Sequence, residues 1–239
     1  MAVLWCQGMF ASGSTWLYNA ALAVAAALEP RRSVQGRFVF DDHDISGLDA
    51  SPRGPAIQHI VKAHQAKGEV RAIAADADAI IVTVRDPRDA VVSLMQYQNF
   101  SFYRALFNVR VAAEACVLLG ASPRAITLHY ERGFIDDPAT LDGLAACLGG
   151  AIPPARRAAI FQQTRRQAVE AFIAGLAQQP DTIVDRDGDM YDRASHWHRH
   201  HAGRTGEVGR FRRFLYPAQI QGIEGTLGDW MACFGYGTR

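Results

Sequence analysis

Hydrophobic residues in this chain fall into two kinds of stretch. Short runs that are almost wholly apolar, Val3 to Gln7, Ile57 to Ala63 and Ala79 to Val84, read as strands. The last of these, AIIVTV, is what a central parallel strand covered on both faces requires. Shorter runs at Phe38-Val39-Phe40 and Ala125 to His129 predict two further strands. Between them lie stretches of helical character: Ser14 to Leu28, Asp86-Pro87 to about Tyr97, and Arg104 to Leu119. Asp86 supplies an N-cap and Pro87 suits the first helical position. Further helices are predicted from Asp137-Pro138 to Gly149-Gly150, from Pro153-Pro154 to about Leu176, and from Pro217 to Phe234. Two stretches read as loops: acidic Asp41 to Pro55 and polar Asp181 to Gly209. Strands alternating with helices predict a parallel sheet between two helix layers, a three-layer α/β/α fold. The pattern predicts one domain over residues 1–239, without internal repeats.

Composition narrows the functional classes. With 25 basic against 24 acidic residues, no global field points to nucleic acid or an anionic membrane. The 49% hydrophobic content suffices for a core, yet the longest apolar segment, Ala20 to Leu28, is too short to span a bilayer. The four cysteines lie far apart without a C-x-x-C pair, so buried thiols are expected. No basic region precedes the N-terminal apolar run, so no signal peptide is expected. The expectation is a soluble cytoplasmic protein. A homodimer stays open.

The first candidate site follows the first strand. Gly8 to Thr15 fits the P-loop frame G-x-x-x-x-G-K-[ST], except that Ser14 stands where the lysine belongs. Strand, glycine turn and helix aim backbone N–H groups at a phosphate, and the helix N-terminus adds roughly half a positive charge. Without the lysine, triphosphate chemistry is disfavoured. The second candidate is Arg85, at the carboxyl end of a buried strand, with Ser93 on the following helix. Such a pair is expected either to hold a phosphate, the arginine through charge-assisted bonds, or to be a capped helix with solvated charges. The third is Lys62-Ala63-His64: on an extended strand, residues two apart point to the same side, so the two would face one cleft or be an ordinary surface pair.

Ser12-Gly13-Ser14-Thr15-Trp16-Leu17 resembles the 5′-phosphosulfate loop of sulfotransferases that use 3′-phosphoadenosine 5′-phosphosulfate (PAPS), which reads [KR]-S-G-[ST]-T-W. Arg85-Asp86-Pro87-Arg88 through Ser93 resembles the family's 3′-phosphate motif, R-x-P-R-x-x-x-x-S. Lys62-Ala63-His64 occupies the slot of its K-[TS]-H segment, and Arg204 to Phe211 resembles R-K-G-x-x-G-x-W. The Tyr130-Glu131 stretch is similar to the family's Y-E-[DE]-L region.

The resemblance implies a P-loop-like sulfotransferase fold. It implies transfer of a sulfuryl group from PAPS to a hydroxyl or amine, releasing adenosine 3′,5′-bisphosphate (PAP). His64 would be the general base and Lys62 would stabilise the leaving phosphate, helped by Ser12, Gly13, Ser14 and Thr15. Arg85, Ser93, Arg204 and Gly206 would hold the 3′-phosphate. Trp16 and Tyr130 would lie at the adenine or belong to the core. Three departures stand out: Ala11 where the family has a basic residue, Thr205 for its lysine and Phe211 for its tryptophan. They leave open a PAP-binding module of weak or no activity, and a nucleotide or small-molecule kinase.

The acceptor is expected to be a small molecule or glycan; Phe100, Phe102, Tyr103 and Tyr191 are candidates either to line its pocket or to belong to the core. No metal is expected. His196, His198, His200 and His201 lack an evident carboxylate or cysteine to complete a ligand set, which favours a place beside a phosphate or acceptor. Asp185 to Asp189 departs from a calcium loop in its glycine offset and in His196 at position twelve.

Overall fold

The computed structural model describes residues 3–45, 57–184, 188–201 and 206–237. Five parallel strands form its sheet: β1 (Val3–Gly8), β2 (Ser33–Val39), β3 (Ile57–Ala63), β4 (Ala79–Val84) and β5 (Ala125–His129), in the order β2-β3-β1-β4-β5. The helices are α1 (Ser14–Leu28), α2 (Gly68–Ala75), α3 (Pro87–Tyr97), α4 (Phe102–Gly120), α5 (Ala139–Cys147), α6 (Pro154–Thr164), α7 (Arg166–Ala174), α8 (Phe211–Phe214) and α9 (Pro217–Cys233). A small antiparallel pair, β6 (Thr182–Val184) and β7 (Met190–Asp192), stands apart from the sheet.

Period-two alternation divides the sheet between two cores. Leu4, Cys6, Ile60 and Ile81 face α1 and α5, where Leu17, Val24, Leu141 and Leu144 are buried. Trp5, Val61, Ile80 and Val82 face the opposite layer of α2, α3, α4 and α9. The expected three-layer α/β/α arrangement is therefore the observed one.

The strand order positions the site. The chain leaves β1 for the edge strand β2, comes back through β3 beside β1, then crosses to β4 and β5 on the other side. β1 is thus the switch point, and an open sheet of this kind carries its crevice beyond the carboxyl ends of the strands there. The loops leaving β1, β3, β4 and β5 converge at that edge.

Three elements differ from the expected ones. β2 begins at Ser33 rather than Phe38, because it is an edge strand whose half-exposed residues lack a hydrophobic signature. α2 was unexpected; only Val70 and Ala74 of it are buried, and Asp42 caps it through the Val70 N–H. The helix expected from Pro153 to Leu176 breaks at Arg165, whose backbone is extended (ψ 152°).

Candidate functional site

The loop after β1 wraps tightly around the helix entry. Gly13, the residue before α1, has φ +82°, a left-handed conformation suited to glycine. The first intrahelical bond runs from Leu17 N–H to the Gly13 carbonyl, at 3.0 Å. The N–H groups ahead of it have no intrahelical acceptor. Ser12 turns away from the cleft: its hydroxyl bonds the Met9 carbonyl at 2.6 Å and Thr83 Oγ1 at 2.7 Å, so its side chain shapes the loop. Gly13, Ser14, Thr15 and Trp16 line a cleft of about 400 Å³.

β3 delivers Lys62 and His64 to the same cleft. Lys62 Nζ donates to Thr15 Oγ1 at 2.7 Å and sits 5.1 Å from the Phe38 ring centre. Burial pulls its ammonium down to about 7, because no carboxylate among the described residues repays the lost hydration. His64 Nδ1 lies 2.7 Å from the Gly8 carbonyl, an obligate acceptor. Nδ1 must therefore carry the proton, which leaves the Nε2 lone pair bare. Phe10 stacks on the imidazole at 4.3 Å and fixes its plane. Burial and the Lys62 charge push its pKa down to about 3, so the ring is neutral at physiological pH.

β4 and β5 supply the other end. Arg85 donates to the carbonyls of Ala11 (3.1 Å) and Glu207 (3.0 Å), and its guanidinium lies 4.3 Å above the Tyr130 ring. Its buried Nε has no partner among the described residues. A buried guanidinium with an unpaired N–H is the feature an anion completes. Ser93 and Tyr130 line the same cleft. Trp16 is 3% exposed and donates from Nε1 to the Thr164 carbonyl at 2.8 Å, so it is anchored while one face borders the cavity.

The C-terminal segment closes over this end. Arg204 and Thr205 lie outside the described residues, as do 46–56 of the acidic loop and 185–187 of the calcium-like stretch. Gly206 lines the cleft. A Cβ there would stand 1.5 Å from the Tyr130 hydroxyl. Asp89, one turn before Ser93 on α3, anchors the segment. Its carboxylate accepts the Gly209 N–H at 2.6 Å and the Phe211 N–H at 2.9 Å. Arg210 also reaches the cleft, held by Tyr97 and Gln96; only its place in the glycine-rich segment hinted at it. Gly206→Ala should overpack the Tyr130 contact at a cost of about 1–3 kcal/mol. A lowered Tm is the expected readout, and Tyr130→Phe should restore part of it.

Of the four aromatics assigned to either an acceptor pocket or the core, Phe100 and Phe102 pack against the core, Tyr103 is exposed and Tyr191 stacks on His198, so none lines the cleft. Phe10, Phe38, Phe40, Tyr97 and Trp197 do, together with His196, His198, His200 and His201. And a carboxylate does complete the histidine cluster: Asp189 Oδ2 lies 2.7 Å from His198 Nδ1 and 3.0 Å from His200 Nδ1.

No protein-family model matches the chain, and no curated protein matches its sequence. Solved structures do. Mouse sulfotransferase SULT7A1 complexed with PAP superposes with a TM-score of 0.64 at 16% identity, covering 96% of this chain and 83% of that one. Retinol dehydratase with androsterone and inactive cofactor PAP gives 0.65 at 16% identity over 96% and 80% of the two chains. Its complex with retinol and PAP gives 0.61 at 12% identity over 96% and 81%. The fold is that of the sulfotransferases.

Proposed function

We propose that this single-domain chain is a PAPS-dependent sulfotransferase, transferring a sulfuryl group to a hydroxyl or amine of a small molecule and releasing PAP. The observation that carries the reading is Lys62 bonded to Thr15 at the α1 N-terminus, with His64 the first residue after the same strand. One cleft thus holds a base, a cation and a phosphate cradle. Two features support PAP as the ligand: the first-turn N–H groups of α1 would take its 5′-phosphate, and Arg85, whose Nε lacks a partner among the described residues, would take its 3′-phosphate.

His64 Nε2 accepts the acceptor's proton while the acceptor oxygen bonds sulfur. The bond from sulfur to the 5′-phosphate oxygen breaks, and that oxygen takes the electron pair. Lys62 and the helix N-terminus face the charge that develops there. The anionic nucleotide favours protonation of both side chains, so His64 becomes a stronger base once PAPS is bound. Lys62 takes over the task of the basic residue that Ala11 replaces. The Ala11 carbonyl meanwhile orients Arg85.

Thermal unfolding with PAP tests the reading. At 100 times its dissociation constant PAP should add roughly 2.7 kcal/mol, and ATP with Mg²⁺ should add less. Arg85→Ala removes a charge-assisted contact worth about 1.5–3 kcal/mol and should weaken PAP binding by about 10- to 100-fold. Unchanged affinity in that variant, or a larger shift with ATP and Mg²⁺, favours the kinase reading. PAP binding without turnover on a broad acceptor panel favours a binding module.

A further inference from the structure

Asp189 immediately precedes β7, and His198 and His200 follow a turn that brings the chain back against it. That turn is closed by the backbone. The Asp192 N–H bonds the Trp197 carbonyl at 3.0 Å, and the His196 N–H bonds the Asp192 carbonyl at 2.8 Å. Tyr191 pairs with His198 in an antiparallel bridge. The Asp192 carboxylate accepts from the N–H and hydroxyl of Ser195. Three ligand-type side chains are thereby held with their donor atoms within 4.8 Å of one another, all partly buried. The His198 and His200 rings are 4.9 Å apart, and both line the cleft.

We propose that Asp189, His198 and His200 form a site for a late first-row divalent cation, zinc foremost, in the wall of the cleft. Two imidazoles and one carboxylate suit zinc and its neighbours and not magnesium or calcium, which take oxygen ligands. Ligand bonds of about 2.0–2.2 Å set neighbouring donors roughly 3.4 Å apart around a tetrahedral ion. The Asp189 oxygen, now at 2.7 and 3.0 Å from the two nitrogens, reaches that spacing by a small side-chain rotation. Three protein ligands leave a fourth position for water or for a hydroxyl in the cleft, the arrangement of a catalytic rather than a closed structural site. The proposal stands independently of the sulfotransferase reading, since it rests on no contact to nucleotide.

The test is zinc itself. Full-length protein stripped with a chelator and titrated with Zn²⁺ by calorimetry should bind one ion per chain. His198→Ala and His200→Ala should each weaken binding by about 100-fold or more, and Asp189→Asn by about tenfold or more. Circular dichroism of the chelated variants should match the parent. X-ray absorption on the unaltered zinc complex needs no variant and should show two imidazoles with oxygen ligands. Absence of saturable binding, unchanged affinity in both histidine variants, or a sulfur-dominated shell would overturn the site.

Discussion

His64→Ala is expected to lower kcat by about 10²–10⁴-fold while leaving the affinity for PAP within about twofold of the parent. The split follows from the ring's bonds. His64 spends Nδ1 on the Gly8 carbonyl, and its Nε2 is left for the acceptor. Losing the ring therefore removes a proton acceptor and no contact assigned to the nucleotide. The Phe10 face left uncovered is local, and the sheet edge beneath it is held by the β1–β3 ladder. Single-turnover sulfuryl transfer and PAP calorimetry on the same preparation separate the two quantities. A variant that retains turnover would sink the base assignment. One that loses PAP affinity instead would recast His64 as part of the nucleotide cradle.

The candidate site was legible where chemistry sits on strand ends. Lys62, His64 and Arg85 follow directly from apolar runs whose carboxyl ends the sheet brings together. Gly13 and Thr15 follow from the turn spacing. What the sequence hid is pairing across long separations. Asp89 gives no sign that it holds Gly209 and Phe211, because the bonds run to backbone N–H groups far along the chain. Asp189 likewise looked like part of a failed calcium loop until the turn at Asp192 to Trp197 set it beside two imidazoles. Tyr103 was hidden for a related reason: an aromatic suits a pocket, and only packing shows it on the outer face of α4. Of the fold, the strands buried on both faces were plain. The edge strand β2 and the shallow helix α2 were not, since little of either is buried.

Lys62→Met should lower kcat by about 10²–10³-fold, the scale of removing one preorganised charge-stabilising donor, with the nucleotide still bound. Its pH behaviour distinguishes this role from packing. In the free protein the ammonium sits at about 7 against an ordinary value of 10.5. Cys6 on β1, His64 just after β3 and the imidazoles of His196, His198 and His201 surround it, and none is an anion at neutral pH. A bound phosphate supplies the missing negative charge and restores the proton. PAP binding at pH 8 to 9 should therefore take up close to one proton, read by calorimetry in buffers of different ionisation enthalpy, and Lys62→Met should abolish that uptake. Stability carries the complementary sign. Between about 7 and 10.5 the unfolded chain holds the Lys62 proton and the folded chain does not, so stability of the free protein rises with pH across that window. Below it the fold bears a buried ammonium that bonds Thr15 but has no carboxylate beside it among the described residues. Lys62→Met should then be more stable than the parent at pH 6 and nearly inactive, the trade expected when a site holds charge ready for a ligand. A variant less stable at pH 6, or one whose PAP binding still takes up the proton, would assign Lys62 to the core instead.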